Sequence, residues 1–191
     1  MQRRNSSIAL LALVSIAALT AVASAEVIIG DDSDNRLVGT NQQDTIKGLG
    51  GNDTISGRDG NDRLVGGTGG DVAHGQLGGD TLRGGSGGDH LRGGDQGVSG
   101  NEDRDRIYGG GGADLLEGSP GADILKGGGG SDGVDGDPGA DILKGGAGDD
   151  DVVGSGRRSH RDFVNCGPGF DRAWVDPSDQ VAENCERVMV Q

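Results

Sequence analysis

The sequence predicts an all-β fold in which the chain coils as a parallel β-solenoid, with two nonapeptides in each coil. Three observations lead to this prediction. The 191 residues include 42 glycines but only four aromatic side chains, too few to fill a conventional core. A glycine recurs every nine residues from Gly30 onward, and an aliphatic residue recurs in step with it. Short repeats of this kind fold by stacking on one another.

The first 25 residues have the features of a secretory signal peptide. Two arginines precede an apolar run over residues 8–22, and the small residues Ala23 and Ala25 then provide a cleavage pattern. The run is shorter than the roughly 20 residues that a helix needs to span a bilayer. We therefore expect cleavage after Ala25, a secreted, extracellular protein, and no membrane span.

The repeats occupy most of residues 26–153. Thirteen nonapeptides run from Gly30, interrupted by an insertion of seven residues at 93–99. Glycines at positions one, four and often two would allow positive φ angles and a tight turn. The Asp-x-aliphatic end of each unit would form a very short strand, with the position-eight side chain directed into a thin aliphatic core.

Position six of the repeat contains the clearest candidate metal ligands in the sequence. It is aspartate in every unit except the first, which has Asn35. Units n and n+2 would share an edge of the solenoid, and carboxylates stacked about 4.8 Å apart repel one another unless a cation lies between them. The twelve aspartates, which we predict to be metal ligands, are Asp44, Asp53, Asp62, Asp71, Asp80, Asp89, Asp105, Asp114, Asp123, Asp132, Asp141 and Asp150.

The donor set favours Ca²⁺ over other cations. Carboxylates and the carbonyls of flexible turns are the oxygen ligands that calcium prefers, whereas magnesium needs a smaller octahedral cage. Zinc would need histidine or cysteine, and the repeats place His74 and His90 outside the position-six column. We therefore expect several Ca²⁺ ions.

These units resemble the GGxGxDxUx nonapeptides of the RTX, or haemolysin-type calcium-binding, repeat family, and residues 84–92 show the full pattern. The resemblance implies a parallel β-roll, a right-handed β-solenoid, with calcium held between consecutive turns by the position-six aspartates and turn carbonyls. Two departures matter. Asn35 and the polar first units suggest a first coil without metal, and the insertion leaves the site joining Asp89 to Asp114, and its neighbour at Asp105, open.

Residues 154–191 differ from the repeats, and we interpret them as a C-terminal capping segment. Their spacing still follows the array, because Asp162 and Asp171 begin similar triplets nine residues apart. Cys166 and Cys185 are an even pair in a chain that we expect to be secreted, so we predict a disulfide. A lone tryptophan in such a segment, Trp174, is expected in the core.

Composition and motifs argue against several classes of function. The formal net charge of −14 disfavours nucleic acid as a partner. No segment is left for a catalytic domain, so we do not expect an enzyme. His160, Asp162 and Cys166 could be drawn as a thiol or zinc site, but an oxidising compartment and a partner cysteine oppose both.

The sequence thus predicts a secreted calcium-binding repeat protein that folds on binding several Ca²⁺ ions. The alternative is a calcium-dependent structural or adhesive module of the cell surface. The basic cluster of Arg157, Arg158 and Arg161 is interpreted as a solvated loop, which leaves a cell-surface or glycan partner open.

Overall fold

The computed structural model describes residues 24–95, 103–154 and 160–191, which form eighteen short strands without a helix among them. The predicted signal peptide, apart from Ser24 and Ala25, and Arg157 and Arg158 lie outside these ranges. Within them, no helical segment has the length and hydropathy to cross a membrane. The strands are β1 Val27–Ile29, β2 Arg36–Val38, β3 Thr45–Gly50, β4 Thr54–Asp59, β5 Arg63–Thr68, β6 Val72–Leu77, β7 Thr81–Ser86, β8 His90–Gly94, β9 Arg106–Gly111, β10 Leu115–Glu117, β11 Ile124–Gly129, β12 Gly133–Asp135, β13 Ile142–Ala147, β14 Asp151–Val153, β15 Phe163–Asn165, β16 Arg172–Val175, β17 Gln180–Val181 and β18 Arg187–Val190.

The strands alternate between two parallel sheets of nine strands each. The odd-numbered strands form one sheet, here the odd sheet, and the even-numbered strands form the other, the even sheet. Each strand pairs in parallel with the strand one coil later, so that Ile46 lies beside Leu64 and Ile55 beside Ala73. This arrangement confirms the predicted parallel solenoid with two nonapeptides per coil.

The core is a single column of aliphatic side chains between the two sheets. Position-eight residues from Ile46 to Val152 are fully or almost fully buried, and Val164 and Ala173 extend the column into the tail. Among the described residues, no aromatic side chain belongs to it. The expectation for Trp174 was wrong, because this side chain is half-buried on the outer side of the even sheet, where the ring lies 5.6 Å from the Arg172 guanidinium.

The strands begin one residue after the aspartate and extend further than expected. In regular units they run for six residues, through the first three positions of the next unit, as in β7. In β10 and β12 they stop after three residues. The turns that follow these two strands contain Pro120 and Pro138, which have no N–H to donate to the neighbouring coil.

Glycine serves two different purposes in the turn. Positive φ occurs at positions two and four, for example at Gly85 and Gly87, and at no position-one glycine that the structure describes. The position-one glycine is instead required for space. A Cβ on Gly118 would lie 2.6 Å from the carbonyl oxygen of Gly136 and 2.7 Å from Oδ2 of Asp123. The prediction that position one needs glycine for its φ angle was therefore wrong.

The insertion does not interrupt the roll. Strand β8 pairs with β10, and β7 pairs with β9, in the regular parallel register. Gly93 occupies a position-one place, because its Cβ would meet Asp105 and the carbonyl of Gly118. The register therefore puts the extra residues after Gly94 and before Asp103. Residues 96–102 lie outside the part of the chain that the structure describes.

The tail continues both sheets. Strands β15 and β17 extend the odd sheet, and β16 and β18 end the even sheet. The predicted disulfide is confirmed, with Cys166 and Cys185 at a Cα–Cα distance of 5.2 Å. Both cysteines belong to the buried cluster at the end of the core. The disulfide therefore links the residue that follows strand β15 to the loop that precedes strand β18.

Candidate metal centre

The predicted aspartates form two buried ladders, one along each edge of the roll. All twelve are at most 3% exposed. Those that precede the strands of the odd sheet form one ladder, and those that precede the strands of the even sheet form the other. In every case Oδ1 accepts a hydrogen bond from a backbone N–H of the preceding coil, as in Asp62 N–H to Asp80 Oδ1 at 2.7 Å.

The second carboxylate oxygen has no such partner in most of these residues. In ten of the twelve predicted aspartates, Oδ2 is buried and accepts no hydrogen bond within the described residues; the exceptions are Asp44 and Asp105. A buried acceptor without a donor is costly. A row of them at regular spacing therefore indicates that something outside the chain satisfies these oxygens.

Most of the unsatisfied Oδ2 atoms lie close to a second acceptor, in a space that we call a cradle. Beside seven of the ten, a Cβ on the position-one glycine of the same unit would lie within 3 Å of both this oxygen and a backbone carbonyl of the next coil. Asp132 Oδ2 and the carbonyl of Gly145 share such a space beside Gly127. Two acceptors from successive coils that face one space without a donor form a suitable environment for a cation.

The cradles hold few side chains. Among the described residues, no three His, Cys, Asp or Glu side chains come together as a metal cluster. An ion at a ladder position would therefore take its ligands from one or two aspartates and from turn carbonyls. This oxygen-only donor set fits Ca²⁺.

Burial raises the pKa of most ladder aspartates. It raises the pKa of Asp80 to about 9, and the pKa values of Asp123 and Asp141 to about 8, with the neighbouring carboxylates of the same ladder adding to the effect. The hydrogen bond from the preceding coil's amide lowers each pKa and offsets only part of this rise. A ladder of charged aspartates is therefore unfavourable without a compensating cation.

The first coil is different, as the sequence suggested. Asp44 Oδ2 accepts hydrogen bonds from the backbone N–H of Thr40 at 2.5 Å and from its hydroxyl at 3.0 Å, and Oδ1 accepts from Glu26 N–H. Burial alone would raise the pKa of Asp44, but these bonds hold it below the usual value. Asn35 takes the place of an aspartate in the other ladder and bonds within its own turn.

The ladders continue through the insertion and beyond the repeats. Asp89 N–H donates to Asp114 Oδ1 at 2.8 Å, and Asp80 N–H donates to Asp105 Oδ1 at 2.7 Å, so both questioned positions keep the ladder geometry. The tail adds Asp162 and Asp171, which accept in the same way and are buried. Their triplets nine residues apart were the signal for them in the sequence.

The last ladder positions had no such signal. Asp179 Oδ1 accepts from Asp162 N–H at 3.0 Å, and Glu186 Oε2 accepts from Asp171 N–H at 2.9 Å. They stand 17 and 15 residues after their donors instead of 18. Sequence reasoning missed both because the repeat spacing is lost there and one of the two is a glutamate.

The other histidine and cysteine sites lie apart from the ladders. The rings of His74 and His90 are 6.3 Å apart on neighbouring strands of the even sheet, and His90 Nε2 is 3.8 Å from Glu117 Oε1. Cys166 is held in the disulfide and offers no thiol beside the exposed His160. The thiol and zinc sites considered for the tail thus have no cysteine to use.

Comparison with protein families supports the metal interpretation. The family model of the RTX calcium-binding nonapeptide repeat matches residues 29–64, 38–73, 65–96, 99–134 and 127–156. These matches span nearly all of the repeats and include all twelve predicted aspartates. No curated protein matches the chain.

Proposed function

Because the chain belongs to the RTX calcium-binding nonapeptide repeat family, which implies calcium binding, we propose that it is an exported protein whose roll folds as it binds several Ca²⁺ ions. The observation that carries the proposal is the row of buried Oδ2 atoms that have no donor within the described residues, most of which face a carbonyl of the next coil. The residues that would hold the ions are the position-six aspartates from Asp53 to Asp150, together with Asp171.

The chain's own residues explain why folding would depend on the cation. Closing a coil buries carboxylates beside one another and fixes many glycines, and both changes oppose folding. Each nonapeptide contributes only one aliphatic side chain to the core between the sheets. Burial of these side chains therefore offsets only part of the free energy that opposes folding. Ca²⁺ supplies positive charge and oxygen coordination when it is bound.

The acceptors in one cradle come from two successive coils, and this predicts cooperativity. Asp132 and Gly127 belong to one coil, whereas Gly145 belongs to the next. A cradle is therefore complete only when both coils are in register. Binding free energy becomes folding free energy for such sites, because they do not exist in the open chain.

Export would place the chain where calcium is abundant. Extracellular calcium modules bind with affinities of about 10⁻⁴ to 10⁻³ M, so such a chain would remain open inside the cell and close outside it. The disulfide fits an oxidising compartment. Cleavage after Ala25 would also turn the Glu26 nitrogen, 2.6 Å from Oδ1 of Asp44, into a charged ammonium that pairs with this carboxylate.

The proposal is tested by far-UV circular dichroism of the chain from Glu26 onward, disulfide intact, titrated with calcium and separately with magnesium. We expect a cooperative change from coil to β structure with calcium in the millimolar range, and none with magnesium at the same concentration. Calorimetry of the same titration gives the number of ions. A chain that is already β-rich after exhaustive calcium removal, and that does not respond to calcium, contradicts the proposal.

A further inference from the structure

The outer face of the odd sheet carries a band of positive charges. Six neighbouring strands of this sheet, from β3 to β13, each present one exposed cation, and no strand of this sheet contains an aspartate or glutamate. In the strand register, four of these cations share one column and two share the column two residues earlier. We call this band the basic face. Its residues are Lys47, Arg63, Arg83, Arg106, Lys126 and Lys144.

The basic face contrasts with the rest of the molecule. The chain has a formal net charge of −14, and the even sheet mixes five arginines with four acidic residues in its strands. Two of those arginines, Arg92 and Arg172, form ion pairs with Glu117 and Asp151 on neighbouring strands. The strands of the odd sheet therefore carry only positive charge, whereas the strands of the even sheet carry both signs, partly joined in ion pairs.

Folding alone does not account for this band. Within the described residues, none of its six cations forms an ion pair. Lys126 and Lys144 are direct partners in the register of β11 and β13, and like charges placed opposite each other destabilise a sheet. Arg83 and Lys126 lie on either side of the Tyr108 ring, at 4.8 and 5.5 Å from its centre, which orders them without neutralising them.

We propose that the basic face binds an acidic polysaccharide, a linear chain of sugars with one carboxylate or sulfate on each sugar. Neighbouring strands of a sheet are about 4.8 Å apart, so the six cations form a band on the order of 24 Å long. Arg63 and Arg106 lie to one side of the line through the other four. An extended chain of pyranose rings advances by a comparable distance per sugar. Such a chain could place one anionic group near each cation while lying flat along the sheet.

A narrow single chain suits this face better than other anionic partners. The buried carboxylate ladders run along the edges of the odd sheet, and exposed acids such as Asp149 lie between the strands, so a broad duplex would approach them as well as the cations. The predicted export also places the face among extracellular polysaccharides. The inference depends on the proposed function in one respect only: the basic face exists when the roll is folded.

The test uses the folded, calcium-saturated chain and a hexamer of a uronic acid, which is too short for calcium to gel. Binding is measured by calorimetry, with a neutral glucose hexamer as the reference ligand. We expect the uronic acid hexamer to bind and the glucose hexamer not to bind. The affinity for the uronic acid hexamer should fall as the salt concentration is raised. The double variant Arg83→Glu, Lys126→Glu should weaken binding by about tenfold or more, a loss of about 1.4 kcal/mol per factor of ten.

The matched control reverses two exposed arginines of the even sheet, Arg36→Glu and Arg187→Glu, with the same change in net charge. It should bind the uronic acid hexamer nearly as well as the parent chain. Circular dichroism of both variants with calcium separates a lost binding face from a lost fold. Four results overturn the proposal: no binding by the folded parent chain, equal loss in both variants, equal binding of the neutral hexamer, or equal binding of a six-nucleotide oligothymidine.

Discussion

The backbone N–H of Asp62 donates a 2.7 Å hydrogen bond to Oδ1 of Asp80, whereas Oδ2 of Asp80 is buried with no hydrogen-bond partner in the described part of the chain. The two oxygens of one carboxylate thus have separate tasks. Oδ1 joins one coil to the next through the backbone, and this bond fixes the orientation in which Oδ2 faces the turn. The same hydrogen bond repeats along both edges, so the fold itself orients the groups that we expect to bind calcium.

The calcium-free roll should be destabilised by alkaline pH. The folded pKa values of Asp80, Asp123 and Asp141 lie at about 9, 8 and 8, above the usual 3.8, chiefly because of burial. At pH values between the usual pKa and the raised pKa, the folded state binds more protons than the unfolded state. The free energy of unfolding therefore falls as pH rises through this range. The stabilisation by protonation is complete below about pH 4 and is lost by about pH 9. Circular dichroism of the calcium-depleted protein at pH 5, 7 and 9 tests this, because the fraction of β structure should be largest at pH 5 and smallest at pH 9.

With saturating calcium that pH dependence should largely disappear between pH 5 and pH 9. Bound Ca²⁺ keeps the ladder carboxylates ionised in the folded state, and the same groups are ionised in the unfolded chain above about pH 5, so neither state binds protons there. Unfolding at a fixed millimolar calcium concentration over the same pH series gives the comparison. Two parallel pH profiles, with and without calcium, would show that the ladder aspartates are not where the ions bind.

Replacing one ladder carboxylate should have opposite effects with and without calcium. In Asp132→Asn the amide oxygen can still accept from Asp114 N–H, while the new amide N–H₂ faces the carbonyl of Gly145. We therefore expect the calcium-free chain to show at least as much β structure by circular dichroism as the calcium-free parent. The calcium midpoint should rise several-fold, and one ion fewer should bind, because a charged ligand is lost.

The control for this variant is Asp59→Asn, which removes the same charge from an exposed position at the end of strand β4. Its calcium midpoint, followed by circular dichroism, should stay close to that of the parent. If both variants shift the midpoint equally, overall charge governs calcium affinity and the ladder has no special role.

Much of this structure could be predicted because the repeat places each residue type in a fixed column. The burial of Leu82 and the ladder position of Asp80 follow from the period alone. The reason for glycine at position one could not be predicted, because it depends on how closely the carbonyl of the next coil approaches. Asp179 and Glu186 were missed because they reach the ladder through irregular loops. The basic face emerges only when alternate units are assigned to opposite sheets.

Closing a cradle with a methyl group should impair both packing and calcium binding. In Gly118→Ala the new Cβ would lie 2.6 Å from the carbonyl oxygen of Gly136 and 2.7 Å from Asp123 Oδ2. Overpacking of this kind costs about 1–3 kcal/mol. We expect a higher calcium midpoint and a lower free energy of unfolding in calcium, both measured by circular dichroism.

Gly129→Ala provides the matched control, because a Cβ at Gly129 meets no atom within 4 Å. This change should leave stability unaltered or raise it by up to about 1 kcal/mol, since alanine restricts the unfolded chain. Equal destabilisation by the two substitutions would mean that backbone freedom, and not the space beside the ladder, explains the glycines.

Removing the disulfide should weaken the C-terminal end of the roll more than its calcium sites. Cys166 and Cys185 close a loop of 19 residues, and the chain-entropy model gives about 3 kcal/mol for such a loop. The double variant Cys166→Ser, Cys185→Ser should therefore unfold at a lower denaturant concentration in calcium, and reduction of the parent chain should have a similar effect. Asp53 and the other ladder positions far from the tail keep their hydrogen bonds in this variant, so the circular dichroism signal at saturating calcium should be largely retained. Loss of the entire calcium-induced signal would instead mean that the disulfide end nucleates folding of the whole roll.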